Sequence, residues 1–423
     1  MNKAQLQANQ LEKLQAMLGN ILPGNVFYAE KLKEAGVSPQ VASLDWFYQN
    51  CPFTLKSEIV EDQIAHPPYG RNLTFPIEKY VRFNQTSGTT GRPMRWLDTA
   101  ESWDEMLNCW AKIFLKSGVN SGDRIFFAFS FGPFLGFWTA FGAATRIGCL
   151  AIPGGGQSSI SRLQSILENQ VRVLCCTPTY AIRLGEVAQV EGIALSNADV
   201  EIIIVAGEPG GSIPAVYSRI EELWPGAKVC DHHGMTEIGP VSYEDPHQRG
   251  VLRLIGTAYL SEIIDPVSGQ HVAPGEPGEL VITNLYRWGS PLIRYRTGDL
   301  VKEKVEDITT PENPEFALDG GILGRVDDMI TVRGVNVYPG AIEEILRRFV
   351  DIAEYRVEVR SNRAMEEMQI YIEPAAGVTN PSSLVEQTQK AFQAALSLRV
   401  PVTAVEPGTL PRFEMKAKRW LKV

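Results

Sequence analysis

Apolar residues at Leu6, Leu11, Leu14, Met17 and Leu18 recur at helical spacing, which predicts an amphipathic helix at the start of the chain. Beyond it, apolar strand patterns alternate with helical ones: KYVRFNQTSGTTGRP, a helix over Ser102 to Ser117, the strand DRIFFAFSFG, a helix, and CLAIPGGG. The alternation continues through a helix near Ser161 to Glu168, the strand VRVLCCTPT, a helix from Tyr180, the strand EIIIVAGEPGG, a helix over Ile213 to Trp224, and AKVCDHHG. Strand and helix in turn predict an α/β domain around a largely parallel sheet. Each of these strands ends in Gly, Pro, Thr or His. In open α/β sheets those carboxyl ends are where ligands bind.

From about Gly256 the pattern becomes short strands between Gly/Pro turns (SEIIDPVSGQHVAPGEPGELVITNL), which predicts a β-rich subdomain. Past Gly324 the segments MITVRGVNVY, AIEEILRRF, YRVEVR, MQIYIEP, SSLVEQTQKAFQAAL and PVTAVE read as strand, helix, two strands, helix and strand. The expected fold is α/β: a large domain over residues 1–325 with mostly parallel sheets and a β-rich subdomain, then a small mobile α+β domain over residues 326–423. Arg325 to Asp328 is the expected hinge.

The 21-residue run between Arg124 and Arg146, IFFAFSFGPFLGFWTAFGAAT, carries no charge and is long enough to span a membrane. Gly132-Pro133 and the hydroxyls of Ser130 and Thr139 interrupt it, so it reads as a buried strand, a turn and a buried helix. The first residues lack the apolar block of a signal peptide, and a cytoplasmic protein with no membrane partner is expected. Forty Lys and Arg against 49 Asp and Glu among 423 residues leave a charge of −9, which disfavours nucleic acid as a partner. Cys51, Cys109, Cys149, Cys175, Cys176 and Cys230 show neither CxxC nor knuckle spacing, so no disulfide framework or zinc ribbon is indicated.

The sharpest local signal is Thr86-Ser87-Gly88-Thr89-Thr90-Gly91-Arg92-Pro93. Small residues let backbone amides approach an anion, the hydroxyls add donors, and Arg92 adds charge, which makes a phosphate cradle. Arg92-Pro93 stands where a Walker loop needs Lys followed by Ser or Thr, so it is not that loop. Taken alone, the same residues would also suit a hydroxyl-rich surface turn.

This segment has company. HGMTE at His233 to Glu237, YRTGD at Tyr295 to Asp299, GRVDD at Gly324 to Asp328 and the Lys-bearing tail LPRFEMKAKR follow it in the order found in adenylate-forming enzymes, which the chain resembles. PFTLKSEI, PGGGQSS, VLCCTPTYA, AGEP and VRGVNVYP more closely resemble the phenylacetate-CoA ligase branch, and the likeness runs from about Asp45 to the C-terminus. The resemblance implies that the large domain is an adenylate-forming domain and that the reaction has two steps. A carboxylic acid, the small-molecule substrate, attacks the α-phosphate of MgATP to give an acyl-adenylate and pyrophosphate, and the thiol of coenzyme A then displaces AMP. ATP, Mg²⁺ and coenzyme A are the cofactors so implied.

Residue by residue, the resemblance implies that Thr86, Ser87, Gly88, Thr89, Thr90 and Gly91 hold the leaving phosphates, where donors aimed at developing charge lower the barrier. Thr236 would contact the α-phosphate and Glu237 would ligate Mg²⁺. Asp299 would accept both ribose hydroxyls, Arg325 would face the nucleotide, and Glu208, Pro209, His233 and Gly234 would complete its site. Lys416 is the candidate adenylation lysine and Asp327 the pivot of the small domain. Gly334 would approach the pantetheine tunnel, while Lys418 and Arg419 read as a solvated basic tail, with contact to a coenzyme A phosphate as the alternative.

Three positions depart from the family pattern: His233 where an aromatic residue usually stacks on adenine, Arg92 where Lys is common, and Met415 where Gly is common. Phe129, Phe131 and Phe134, with Ala206 and Gly207, are the expected acyl pocket, and phenylalanine edges suit an aryl or arylacetic acid. Two other functions compete with a CoA ligase. One is transfer of the acyl group to a carrier protein or an amine; the other is a catalytically inactive nucleotide-binding regulator. Survival of Glu237, Asp299, Arg325 and Lys416 disfavours the regulator. A homodimer is common among relatives, though no interface is legible in the sequence.

Overall fold

A computed structural model describes residues 1–86, 93–305, 313–332, 335–362, 365–413 and 417–423. The chain forms two compact units, one of residues 1–156 and 231–322, the other of residues 157–230 and 323–423.

In the first unit, the opening helix Lys3–Ile21 is closed at its start by a capping box between Asn2 and Gln5. It buries Leu6, Leu14, Met17, Leu18 and Ile21, so the helical periodicity of the sequence marks a packing face. Leu14, Met17, Leu18 and Ile21 share a core with Tyr28, Leu32 and Phe47 and with Leu260, Leu285 and Ile293 of the β-rich segment. Fully buried Tyr28 keeps its hydroxyl satisfied, accepting the Ile293 amide at 3.0 Å and lying 3.0 Å from Thr54 Oγ1.

The uncharged run expected to be core folds as the strand Arg124–Phe127, a turn, and the helix Leu135–Arg146. Among the described residues no helix is long and apolar enough to cross a membrane. Arg124–Phe127 pairs parallel with Leu150–Pro153. The β-rich segment has two antiparallel layers. Tyr259–Ile264, Pro277–Asn284 and Tyr295–Lys302 make one, and Ser242–Glu244, Val251–Leu254 and Ala317–Asp319 make the other.

In the second unit, Val173–Cys176 pairs parallel with Ile202–Val205, every residue of both strands buried. Such continuous apolar runs are what a strand covered on both faces requires. Thr177 caps the following helix Pro178–Val190 by accepting the Tyr180 amide, with Pro178 at its first turn. The C-terminal sheet runs Val335–Val337, Ile330–Val332, Met365–Pro374, Ile352–Asn362, Trp420–Lys422, with Val402–Ala404 beside Met365–Pro374. Helix Pro381–Leu396 turns Leu384, Thr388 and Phe392 inward at four-residue intervals.

The tail corrects one expectation. Lys418 is exposed, but Arg419 is buried, its Nε and Nη2 donating to Glu354 at 2.7 and 3.1 Å. Residues Trp420–Lys422 extend the sheet as a parallel strand opposite Val357, Glu358 and Val359. Basic spacing suggested a solvated tail; two carboxylates, the buried Glu354 and the partly buried Glu343, draw the guanidinium inward instead. Burial alone would raise the Glu343 carboxyl, but Arg419 and Arg347 hold it down to about 2.

Phe392 has no exposed surface in the C-terminal core. Phe392→Ala is expected to cost about 3–5 kcal/mol and to lower the urea midpoint of the transition that reports this unit. An unchanged midpoint would contradict this packing.

Candidate active site

The strand Tyr80–Gln85 pairs antiparallel with Arg95–Thr99 and sets Gln85 opposite Arg95. Just beyond the paired strands, the Thr86 amide donates to the Met94 carbonyl at 3.0 Å, and the Met94 amide donates to Thr86 Oγ1 at 2.9 Å. Thr86 is thus a clamp at the mouth of the expected phosphate cradle. Ser87, Gly88, Thr89, Thr90, Gly91 and Arg92 lie outside the described residues, as do Gly334, Met415 and Lys416.

The HGMTE segment makes a tight hairpin. Gly234–Met235 pairs antiparallel with Gly239–Pro240, and Thr236, Glu237 and Ile238 form its tip. Gly239 sits at φ +107°, and a Cβ there would come within 2.7 Å of the Tyr286 hydroxyl, so both backbone angle and space call for glycine. Three successive tip carbonyls point back into the protein. Arg287 Nη1 donates to Thr236 O at 2.8 Å and Glu237 O at 2.7 Å, and Asn284 Nδ2 donates to Ile238 O at 2.7 Å. Arg287 itself is 1% exposed and grips fully buried Asp98 through Nε and Nη2, both at 2.7 Å. Asp98 also accepts Ser102 Oγ at 3.2 Å and Asn84 Nδ2 at 3.4 Å.

Glu237 is therefore a hairpin-tip residue. Its side chain is buried, with the Lys56 ammonium 3.5 Å from Oε1. Upstream, His233 is fixed through its amide, which donates to Ser242 Oγ at 3.0 Å, and through Nε2, which lies 3.1 Å from Asp299 Oδ2. The expected adenine-side and ribose-side residues are thus one hydrogen-bonded pair. With Nε2 facing a carboxylate, that nitrogen carries the proton, and buried Nδ1 has no partner among the described residues. Asp299 is in turn seated by its own amide, which donates to Thr297 Oγ1 at 3.0 Å.

Phe129, Phe131 and Phe134 are half-buried. Phe129 stacks on Phe137 at 3.9 Å between centroids and 13° between planes, while Phe134 meets Phe137 edge-on at 6.0 Å. Phe131 adopts a left-handed backbone, φ +52°, uncommon for a bulky residue, and packs edge-on to Phe141 and Trp138. This aromatic group is only partly buried, unlike a plain sheet core.

Ala206, Gly207, Glu208, Pro209, Arg325 and Asp327 belong to the second unit. Glu208 accepts the Thr179 amide at the start of its helix through Oε1, and the Ala417 amide through Oε2, each at 2.9 Å. Arg325 Nε reaches Asp327 Oδ1 at 3.2 Å in a largely exposed pair.

Sequence reading missed Arg287, Asp98, Asn284 and Lys56. A signal existed for Asp98: within the strand RWLDT it shares a face with Trp96, and a carboxylate on a buried strand face demands a cation. Nothing in the sequence pairs it with Arg287, 189 residues later. Lys56 lies within the PFTLKSEI motif, but no role followed from the motif alone.

Next to this pair sits a second buried group. His232 Nδ1 lies 2.7 Å from the Ser242 carbonyl and its ring is 4.4 Å from Trp110. Burial pushes the imidazole down from 6.5 to about 4.

Comparison with known proteins adds to this geometry. Residues 73–285 match the AMP-binding enzyme family, and residues 334–422 match the AMP-binding enzyme C-terminal domain. The chain is 28% identical over 425 residues to phenylacetate-coenzyme A ligase of Pseudomonas putida, covering 97% of this chain and 93% of that one. It is likewise 28% identical to phenylacetate-coenzyme A ligase of Thermus thermophilus, over 97% of this chain and 95% of that one. The crystal structure of 2-hydroxyisobutyryl-CoA ligase, in the postadenylation state with 2-HIB-AMP, is 30% identical. It superposes with a TM-score of 0.94, covering 100% of this chain and 90% of that one. The chain belongs to the AMP-binding enzyme family and, within it, to the phenylacetate-CoA ligase group.

The depressed His232 value sets a pH dependence for stability. An unfolded histidine takes up its proton near pH 6.5, and the folded one only near pH 4. Stability contributed by neutral His232 is therefore present above about pH 6.5 and is lost as the pH falls toward about 4. The urea midpoint of His232→Gln should fall less over that interval than that of the wild type; parallel slopes would contradict the assignment.

Proposed function

We propose that this AMP-forming acid-CoA ligase activates an aromatic acid, aryl or arylacetic, and transfers the acyl group to coenzyme A. The braced hairpin carries the reading. With the Thr236 carbonyl turned back onto Arg287, the trans peptide plane turns the Glu237 amide the opposite way. A donor so aimed meets the negative charge that builds on an α-phosphate under attack.

In the first step an oxygen of the substrate carboxylate bonds to the α-phosphorus and the bond to the bridging oxygen breaks, so that pyrophosphate leaves. Thr86 to Gly91 hold the leaving phosphates, and Lys416 neutralises charge shared by the carboxylate and the α-phosphate. Asp299, oriented by His233, accepts the ribose hydroxyls as an ionised carboxylate with two acceptor oxygens. In the second step the sulfur of coenzyme A bonds to the acyl carbon and AMP departs with its oxygen. Residues 326–423 move about Asp327 between the steps, and Gly334 borders the pantetheine path.

Glu237 suits Mg²⁺. Its buried carboxylate already faces one cationic group, Lys56. Among the described residues no group of three or more His, Cys, Asp or Glu gathers to cage a metal. A single carboxylate fits an ion that takes its remaining oxygens from phosphates and water. When bound, the ion would neutralise phosphate charge.

The half-buried Phe129, Phe131, Phe134 and Phe137 group supports an aryl substrate, since a flat ring gains from offset and edge contacts. Pyrophosphate release from MgATP across aryl, arylacetic and short aliphatic acids, including branched 2-hydroxy acids, tests the reading. We expect the highest turnover with an aromatic acid and a thioester product when coenzyme A is present. Turnover confined to the small aliphatic acids would overturn the substrate class, and pyrophosphate release with no thioester would overturn the acceptor.

A further inference from the structure

The hairpin tip poses a local difficulty that two side chains resolve. Three consecutive carbonyls, those of Thr236, Glu237 and Ile238, lie between strands only two residues long, so no sheet ladder satisfies them. Arg287 supplies donors to the first two and Asn284 to the third. Asn284 is itself fixed, because its Oδ1 accepts the amides of Tyr286 and Arg287 at 3.0 and 2.9 Å. The same side chain therefore shapes the turn that carries Arg287 and holds the hairpin that Arg287 holds.

The remaining nitrogens of the Arg287 fork go to Asp98 in a bidentate pair with almost no solvent exposure, over the Trp96 ring at 5.3 Å. A buried ion pair of this kind is weak support for stability, since the desolvation of two charges offsets most of their attraction, and apolar groups of similar volume often serve the fold as well. Its geometry is another matter. A guanidinium locked by a carboxylate on one edge presents its other edge at a fixed place, where lysine would present a mobile point charge.

We propose that Asp98, Arg287 and Asn284 are positioning residues for acid activation: they fix the orientation of the Thr236–Glu237 and Glu237–Ile238 peptide planes, and with them the donors and the carboxylate that face the α-phosphate. None of the three touches the reacting atoms. The inference rests on the proposed adenylation by this hairpin and extends it to residues 98, 284 and 287.

A double variant separates geometry from stability. Asp98→Leu with Arg287→Met removes both charges together and should unfold at a urea midpoint above that of Asp98→Ala, which strands a buried guanidinium. The double variant should nevertheless form acyl-adenylate with kcat lowered about 10²-fold, the cost of misplacing catalytic groups by about 1 Å, with a smaller change in KM for the acid. Arg287→Lys, which keeps the charge and loses the fork, should show the same split with a smaller loss of stability. Wild-type kcat in a folded double variant would overturn the proposal. Absence of pyrophosphate release from the wild type with every acid would instead overturn the adenylation reading, so the two failures are distinct.

Discussion

The buried pair of Asp98 and Arg287 is the constraint around which the first unit's site is organised. It joins the strand Arg95–Thr99, the turn after Pro277–Asn284 and the HGMTE hairpin, three pieces far apart in sequence. Each connection follows from a polar group that burial would otherwise leave unsatisfied. The carboxylate on the strand needs a cation, the cation needs acceptors for its remaining edge, and the hairpin tip needs donors for its carbonyls.

Around that brace, the same segment separates charged from neutral roles by environment. Glu237, buried, faces the Lys56 ammonium, and Asp299 faces a ring nitrogen of His233. His232, one residue away from His233, is walled by Trp110 and the Ser242 carbonyl, where burial keeps it neutral. Adjacent histidines thus have different work: one packs the hairpin's base, and the other pairs with the Asp299 carboxylate. A chemistry that brings several phosphate charges to one place benefits from such a division, because cations and donors are held where they are needed without mutual collapse.

Much of this was legible in the chain itself. The N-terminal periodicity foretold the buried face of Lys3–Ile21, and the charge-free run resolved into a strand and a helix because Gly132-Pro133 breaks it. The motifs also single out His233 and Asp299, which the fold brings within 3.1 Å of each other. What the motifs do not contain is the support behind them. Asp98 and Arg287 meet only through the fold, and no local spacing joins residues 189 positions apart. The tail misled for a related reason: the basic run suggests solvent, while the carboxylates that bury Arg419 come from Glu343 and Glu354, on other elements. Sequence pattern reports periodicity and local chemistry; pairing across the chain belongs to packing.

If this hairpin directs a carboxylate onto an α-phosphate, the fate of the carboxylate oxygen records the attack. The enzyme would be incubated with MgATP, coenzyme A and an aromatic acid whose carboxylate carries heavy oxygen, and the nucleotide products examined by mass spectrometry. Attack at the α-phosphorus places one heavy oxygen in AMP, because the acyl–oxygen bond breaks when the thiol enters. Label found in inorganic phosphate, with ADP as the nucleotide, would instead mean attack at the γ-phosphorus and no acyl-adenylate.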